Sequence, residues 1–426
     1  MKTHRSRNTS TLPRALVVTL AATGTGALAA EPPAASNPPK SPWNYSATAA
    51  AKGFFDSNVY LQEHGPLAHQ ESWGVSVLPQ VGVSYNPGTE FKAALSYTPD
   101  FTFFEATPDE DYFSHKGALN FSGKAEPISW EFNNALVFTD GNSTNLIYGL
   151  PGGPPAAGAI PVRDRRDATI YRNGVKLLYP FKEWFLRPVA ATYLHDFRSL
   201  QSTTPGYQNY ADRKEISGGV DIGRKLTGKF STFVGYRYGW QDQEDLLDRG
   251  IAYDNHFQRV LAGFEGQLLE WLKLNVAVGP DFREFGDQVA PGFDRSDTVV
   301  FLDAAAVITP MAGDTITLSG KRFQQPGFGG RSIYDDSTYE LLWRHTFAKK
   351  LTVGLGFRAY QTDFTPSAPR NDWIFTYSAL AGYAFNAKLG AEASYSFDDG
   401  FSHLDNFENR DFTRHLVAMG VRYSFK

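Results

Sequence analysis

Large apolar side chains recur at every second position over much of this chain, and this alternation limits most strongly how it can fold. One segment carries the row without a break: Trp373, Phe375, Tyr377, Ala379, Ala381, Tyr383 and Phe385. A period of two places these residues on one face of a β-strand. A soluble sandwich more often has its largest residues in mid-strand, where the core is thickest. Aromatic residues at both ends of the row indicate two water interfaces that flank a hydrocarbon band.

The end of the chain shows the same alternation. One face carries His415, Val417, Met419, Val421, Tyr423 and Phe425, and the other carries Ala418, Gly420, Arg422, Ser424 and Lys426. Two interpretations fit this segment alone. It is either an amphipathic strand of a soluble β-sandwich, or a strand with lipid on its bulky face and water on its small and charged face.

Short turns divide the chain into segments of this kind. They are expected at 86–89, 123–127, 180–182, 226–228, 269–271, 310–314, 348–350 and 386–388. From residue 226 onward each interval holds a strand, a longer polar connection and a returning strand, an asymmetry typical of outer-membrane barrels. With the first strand near 47–60 and the last at 416–425, we predict an all-β, single transmembrane, antiparallel up-and-down β-barrel of about 18 strands. Counts of 16 and 20 remain open because Pro188 and a short strand after Thr315 are ambiguous. Both chain ends then lie on the periplasmic, short-turn side.

The N-terminal region predicts export. A short apolar run at 15–22 follows four basic residues, Lys2, Arg5, Arg7 and Arg14. Ala27-Leu28-Ala29 then provides a processing site. We therefore assign 1–29 to a signal peptide, 30–43 to a proline-rich leader without stable structure, and 44–426 to the barrel. The chain has no cysteine, which excludes disulfides and thiolate chemistry, and its net charge of -4 gives no argument for nucleic-acid binding.

Two short stretches carry a resemblance to known proteins. The final strand is similar to the terminal strand of bacterial outer-membrane barrels, which their assembly machinery recognises, although Lys426 follows the last aromatic residue. Asp56-Ser57-Asn58-Val59, together with the export signal and the hairpin spacing, resembles the bacterial family called Putative beta-barrel porin 2. The resemblance extends over the mature chain and implies an outer-membrane barrel. It supplies no catalytic or ligand-binding residues.

Candidate pore residues come from two places. The longest connection, 140–166, is the third long loop, and in porins, which this arrangement is similar to, the third loop narrows the lumen. An inward fold of this loop would place Arg163, Asp164, Arg165, Arg166 and Asp167 at a constriction, where charges set ion selectivity. An external flap and a mobile lid remain the alternatives. The face opposite the apolar rows supplies the channel wall: Glu131, Arg187, Arg237, Asp303, Arg344, Arg358, Glu392 and Arg422. These charges could also pair with one another as structural ion pairs.

The function expected is a porin-like channel in the bacterial outer membrane for passive diffusion of small hydrophilic solutes. The main alternative is a non-conducting barrel that serves surface binding, or polysaccharide export or assembly. An outer-membrane hydrolase is a third, weaker alternative, since no residue in the sequence selects it. No cofactor, metal site or catalytic residue is expected, because the histidines show no ligand spacing or HExxH helix. The expected partners are outer-membrane lipid, the assembly machinery through the last strand, and the solutes; monomer and homo-oligomer both remain open.

Overall fold

The computed structural model describes residues 41–88, 91–140, 167–198, 210–246, 250–327, 332–365, 370–404 and 411–425. Over these residues the chain forms eighteen strands and one short 3-10 turn at Pro108–Glu110. The strands are β1 Trp43–Asp56, β2 Ser72–Tyr85, β3 Phe91–Phe104, β4 Tyr112–Ala125, β5 Ile128–Asp140, β6 Ala168–Phe181, β7 Trp184–Phe197, β8 Arg213–Lys225, β9 Phe230–Gln243, β10 Asn255–Leu269, β11 Leu272–Phe285, β12 Ser296–Ile308, β13 Asp314–Pro326, β14 Ile333–Phe347, β15 Leu351–Thr365, β16 Arg370–Ala384, β17 Leu389–Leu404 and β18 Phe412–Ser424.

The sheet closes on itself. Each strand pairs antiparallel with the next one in the sequence, and β18 pairs with β1 in a register that sets Thr48 against Ser424 and Asp56 against Leu416. A closed sheet has no free edge, so backbone N–H and C=O groups are satisfied between strands, as a membrane requires. The prediction of an antiparallel up-and-down barrel of about 18 strands is confirmed, although β1 and β18 each begin four residues earlier than expected.

The two ends of the barrel differ in their connections. Two residues separate Phe181 from Trp184, whereas 27 residues separate Asp140 from Ala168. Every predicted turn includes a junction between two strands at the short-turn end, where β1 begins and β18 ends. At one of these turns Gly88 has a φ of 77°, a conformation that glycine adopts without strain, and its N–H donates to Asn86 Oδ1 at 3.3 Å. The predicted asymmetry of turns and loops is therefore confirmed.

Pro188 lies within a full-length strand. The pairing of β6 with β7 is interrupted between the pairs Lys176–Val189 and Tyr179–Leu186. Pro188 occupies this gap, where a residue without an N–H costs no regular ladder bond. The segment after Thr315 is likewise part of a strand of 13 residues, β13. Both ambiguous segments thus count as strands.

Alternate residues of the strands meet different surroundings. In β18 Met419, Val421 and Tyr423 are 67%, 54% and 41% exposed, whereas Arg414 and Ala418 are each 4% exposed. In a closed barrel the exposed apolar row must be the outer one. Cross-strand partners point to the same side of a sheet, so the register extends this assignment around the barrel. Bulky apolar rows face outward, and small, polar and charged residues face inward.

Aromatic side chains collect on the outer surface at both ends of the strands. The short-turn end exposes Trp43, Phe91, Trp184 and Phe347. The long-loop end exposes Trp73, Phe103, Trp240 and Phe282. Such paired girdles mark the two interfaces of a membrane. The barrel is therefore built to cross a lipid bilayer.

Buried apolar residues form separate clusters rather than one continuous core. One cluster near the long-loop end contains Tyr253, Phe285 and Ile333, and another joins Phe54, Phe104 and Tyr112. The described part of the chain contains no helix of the length and hydropathy needed to span a membrane. Because the interior clusters lie toward one end, polar and charged residues occupy much of the remaining inner surface.

Candidate functional site

The lumen has a basic side. Each strand from β6 to β11 carries an arginine on its inner face, and we call this set the arginine wall: Arg172, Arg187, Arg213, Arg237, Arg259 and Arg283. An arginine that faced lipid at the bilayer midplane would cost about 2 to 4 kcal/mol. The inward placement follows from strand parity.

Asp221 of β8 holds two members of the arginine wall. Its Oδ2 accepts from Arg187 Nε at 2.7 Å, and its Oδ1 lies 2.6 Å from Arg237 Nη1. Arg187 also donates through Nη1 to Glu265 at 2.6 Å. The aspartate is 1% exposed. These two arginines and two carboxylates form a charge-balanced network on the inner wall, because buried charges require close partners.

Asp281 of β11 likewise holds two members of the arginine wall, one on β10 and one on β11. Its Oδ2 accepts from Arg259 Nη2 at 2.7 Å and from Arg283 Nη2 at 2.9 Å. Arg259 stands directly opposite Arg237 in the β9–β10 register. Like charges in that position repel each other, and the aspartates on the flanking strands offset the repulsion. The guanidinium of Arg259 also lies 3.8 Å from the ring centroid of Phe301.

A cavity of about 160 Å³ lies on the other side of the barrel, between β14–β18 and β1–β4. Its lining includes a set of hydroxyl side chains that we call the hydroxyl wall: Ser76, Thr102, Thr376, Ser378, Ser394 and Ser396. Each hydroxyl can donate one hydrogen bond and accept others. Such a surface can exchange hydrogen bonds with water and with polar solutes without fixing either.

Charged residues also line this cavity. Lys52 Nζ lies 2.6 Å from Glu392 Oε1, and Arg358 Nε donates to Glu340 Oε1 at 2.6 Å. Arg344 lines the same cavity. Among the residues that the structure describes, Arg344 makes no ion pair within 4.0 Å. The cavity wall thus combines paired charges with one cation available to a solute.

A bridge of side chains crosses the lumen near the long-loop end. Arg213 of β8 donates through Nη1 to Gln325 Oε1 at 2.7 Å and to the Pro326 carbonyl at 3.1 Å. Gln243 of β9 donates to the Gly327 carbonyl. These contacts join β8 and β9 to the end of β13, and neither strand is a sheet neighbour of β13. The bridge narrows the mouth on the side of the arginine wall.

The first long connection, 57–71, folds inward over the opposite side of the mouth. Leu61 is 5% exposed and packs with Tyr360, Ile374 and Phe412, which belong to β15, β16 and β18. A leucine inside a polar loop is shielded from water by this contact. Within the part of the chain that the structure describes, the first loop is therefore folded into the lumen.

The Asp56-Ser57-Asn58-Val59 motif holds this loop in place. Asn58 is fully buried, and its amide nitrogen donates to the Gln62 carbonyl at 3.1 Å and to the Thr413 carbonyl at 3.0 Å. Its Oδ1 accepts from Gln62 N–H at 3.2 Å. Ser57 bonds to the backbone of His415 through its own N–H and its Oγ. The motif ties the start of the loop to the last strand.

The predicted wall residues lie on inner faces of their strands. These are Glu131, Arg187, Arg237, Asp303, Arg344, Arg358, Glu392 and Arg422. Their partners were mostly not predicted, as with Lys52 for Glu392 and Glu340 for Arg358. Both partners have inward parity, so the same alternation could have found them. Of the loop candidates, Asp167 is described just before β6, whereas Arg163, Asp164, Arg165 and Arg166 lie outside the described residues.

One titratable group at the mouth lies outside the strands. Asp212 precedes β8, and burial raises the pKa of its carboxyl to about 6, with a further contribution from the nearby carboxylates of Asp196 and Glu244. Its Oδ1 accepts the Phe197 N–H at 2.7 Å, which acts in the opposite direction. The charge of this side chain therefore changes close to neutral pH.

Solved structures that align with most of this chain include an outer membrane protein and an iron transporter. The outer membrane protein opdK from Pseudomonas aeruginosa is 11% identical, with a TM-score of 0.43 over 90% of this chain and 99% of that chain. OccAB3 from Acinetobacter baumannii is 13% identical, with a TM-score of 0.44 over 90% and 99%. The FrpB iron transporter from Neisseria meningitidis is 9% identical, with a TM-score of 0.42 over 89% and 81%. A search of the curated proteins finds no match to this chain.

The closed barrel and its girdles place the chain in the bacterial outer membrane.

A family model matches part of the chain. The matched stretch includes Arg344, Arg358, Glu392 and Arg422, and it does not include the motif at 56–59. The predicted resemblance is confirmed over that stretch: residues 301–425, from β12 to the end of β18, match the family described as Putative beta-barrel porin 2.

Proposed function

We propose that this barrel is a channel through which small hydrophilic solutes diffuse passively. The observation that carries the proposal is the hydroxyl wall, which lines one cavity together with Lys52, Arg344 and Arg358. Hydroxyls and charges that face a lumen favour water and polar solutes there. An 18-stranded barrel is wide enough to leave an aqueous path unless its interior is plugged.

The same geometry supports a limit on solute size. The Arg213 bridge narrows one side of the mouth, and the first loop covers part of the other side through Leu61. We infer that solutes pass along the hydroxyl wall, between the bridge and the first loop. Solutes that pass there meet serine and threonine first and the charge of Arg344 closer to the short-turn end.

We propose in addition that the third loop contributes to the constriction through Arg163, Asp164, Arg165, Arg166 and Asp167. The support is its position in the chain, since it follows β5 and precedes Arg172 of the arginine wall. Deletion of residues 148–162 tests this part separately. An increase in conductance supports the constriction, and an unchanged conductance rejects it.

The last strand supports a second part of the proposal, recognition by the outer-membrane assembly machinery. Its outer row ends in Tyr423 and Phe425, which are exposed beside the short-turn girdle. Replacement of Phe425 by Ala is expected to lower the amount of folded barrel in the outer membrane. An unchanged yield, measured by heat modifiability on gels, would argue against this role.

Conductance in planar bilayers tests the channel directly. We expect stable current steps that increase with salt concentration and decrease when neutral polymers small enough to enter are added. A barrel that is folded and heat-modifiable yet electrically silent would overturn the proposal. That result would favour a non-conducting surface or assembly protein.

A further inference from the structure

The outer surface carries polar side chains in the middle of three adjacent strands. Asn134 of β5 is paired in register with Asn173 of β6, which in turn is paired with Thr192 of β7. Asn134 is the midpoint of a strand of 13 residues. On the same face of β5, Leu136 and Phe138 are exposed, so this face looks outward. We call Asn134, Asn173 and Thr192 the polar stripe.

Hydrogen bonds within the barrel satisfy the polar stripe only in part. Asn134 Oδ1 accepts from Tyr171 Oη at 2.9 Å and from Asn173 Nδ2 at 2.7 Å. Within the described part of the chain, Asn173 Oδ1 and the Thr192 hydroxyl have no hydrogen-bond partner. Hydrocarbon offers no donor or acceptor, so polar groups that face it without partners are unfavourable. A neighbouring molecule with polar groups at the same depth in the membrane would satisfy the polar stripe.

We propose that the polar stripe is the contact surface for a second copy of this chain. All copies of the chain insert in the membrane in the same orientation, so their polar stripes lie at the same depth. A two-fold axis along the membrane normal therefore brings the polar stripe of one copy against the polar stripe of the other. Amide and hydroxyl groups both donate and accept, which makes the stripe self-complementary. Lipid chains, by contrast, present only hydrocarbon at mid-depth.

The surface beside the polar stripe suits a close approach of two barrels. Ala190 of β7 is paired in register with Gly218 of β8, and both belong to the outer face. A Cβ built at Gly218 would come no closer than 3.9 Å to its nearest neighbour, the Val189 carbonyl oxygen. Small residues let backbones come together in membranes and so allow short interchain hydrogen bonds.

Cysteine crosslinking in intact outer membranes tests the proposal, because the chain has no cysteine of its own. Thr192→Cys is expected to give disulfide-linked dimers under mild oxidation. The matched control is Ala379→Cys on β16, at an outward position nine strands away from β7. A disulfide requires Cα atoms within about 7 Å, so we expect roughly tenfold more dimer from Thr192→Cys than from the control. Equal yields from both, or no dimer from either, would overturn the proposal.

A second variant removes the polar groups without adding a cysteine. Asn173→Leu combined with Thr192→Val is expected to convert the oligomer to a monomer in mild detergent, as measured by light scattering, while heat modifiability shows that the barrel is folded. A wild-type chain that is monomeric by this measurement would contradict the proposal. A crosslinked product that contains a different protein would contradict it as well.

Discussion

Arg414 and Asp56 join the last strand of the barrel to the first. Arg414 Nε donates to Asp56 Oδ1 at 2.9 Å, and the two side chains are 4% and 1% exposed. Asp56 also accepts the N–H of Asn58, the residue that anchors the first loop. The ion pair therefore couples closure of the barrel to the position of that loop.

Loss of this ion pair is expected to destabilise the barrel. Asp56→Asn keeps an acceptor for the Asn58 N–H but removes the carboxylate from Arg414, and a buried pair broken on one side costs about 3 to 5 kcal/mol. The measurement is the urea dependence of tryptophan fluorescence in detergent micelles. As the control, Glu183→Ala removes the exposed pair with Arg224, which is expected to cost less than about 1 kcal/mol. Similar losses of unfolding free energy in the two variants would refute a special role for the Arg414–Asp56 ion pair.

Release of the first loop is expected to change gating. Asn58→Ala removes the side-chain bonds to the Gln62 and Thr413 carbonyls, so residues 57–71 should exchange backbone hydrogens faster and the channel should switch more often between current levels. His64→Ala is the control, because His64 lies exposed on the same loop. If Asn58→Ala leaves both exchange and current records unchanged, the loop is not held by this residue.

The Arg213 bridge is expected to limit conductance. Gln325→Ala removes the acceptor at 2.7 Å from Arg213 and shortens a side chain that crosses the mouth, so single-channel conductance should rise. Lys214→Ala is a suitable comparison, because Lys214 is adjacent in sequence and exposed on the outward face. A conductance equal to that of the wild type would show that solutes do not pass beside the bridge.

The mouth is expected to respond to pH through Asp212. Because its pKa is raised from 3.8 to about 6, the folded state binds this proton more tightly than the unfolded chain. The stabilisation is fully present below the unfolded pKa and is lost as the pH rises through about 6. The free energy of unfolding, measured by urea titration in detergent micelles, should therefore fall between pH 5 and pH 7.5, the range that brackets this pKa. Asp212→Asn should remove that dependence; a variant that keeps it would contradict the assignment.

Much of the fold could be predicted from two features of the sequence, the alternation of apolar residues and the residues typical of turns. The rows ending in Phe385 and Phe425 already distinguish the two faces, because side-chain direction in a strand depends only on position parity. Inner and outer residues such as Arg358 and Phe357 follow from the same rule. The strand number followed from turns that glycine, proline and asparagine mark locally.

The contacts that shape the lumen could not be predicted in this way. Arg213 and Gln325 are 112 residues apart in sequence, and Asp56 and Arg414 are 358 apart. Such pairs depend on the barrel's closure and curvature, which no local pattern contains. The inward fold of the first loop was missed for the same reason, although Leu61 in a polar loop was a usable signal. The expectation for the third loop concerns residues outside the described part of the chain.

Thiol accessibility along β17 tests most directly which medium each face of the strands meets. Four variants place single cysteines on alternating faces: Ala391→Cys, Ala393→Cys, Ser394→Cys and Ser396→Cys. In intact membranes a charged, membrane-impermeant thiol reagent should modify the two former serine positions, which line the hydroxyl wall, and leave the two alanine positions unmodified. Equal reaction at all four positions, or reaction at the alanine positions alone, would contradict a water-filled lumen inside a lipid-facing barrel.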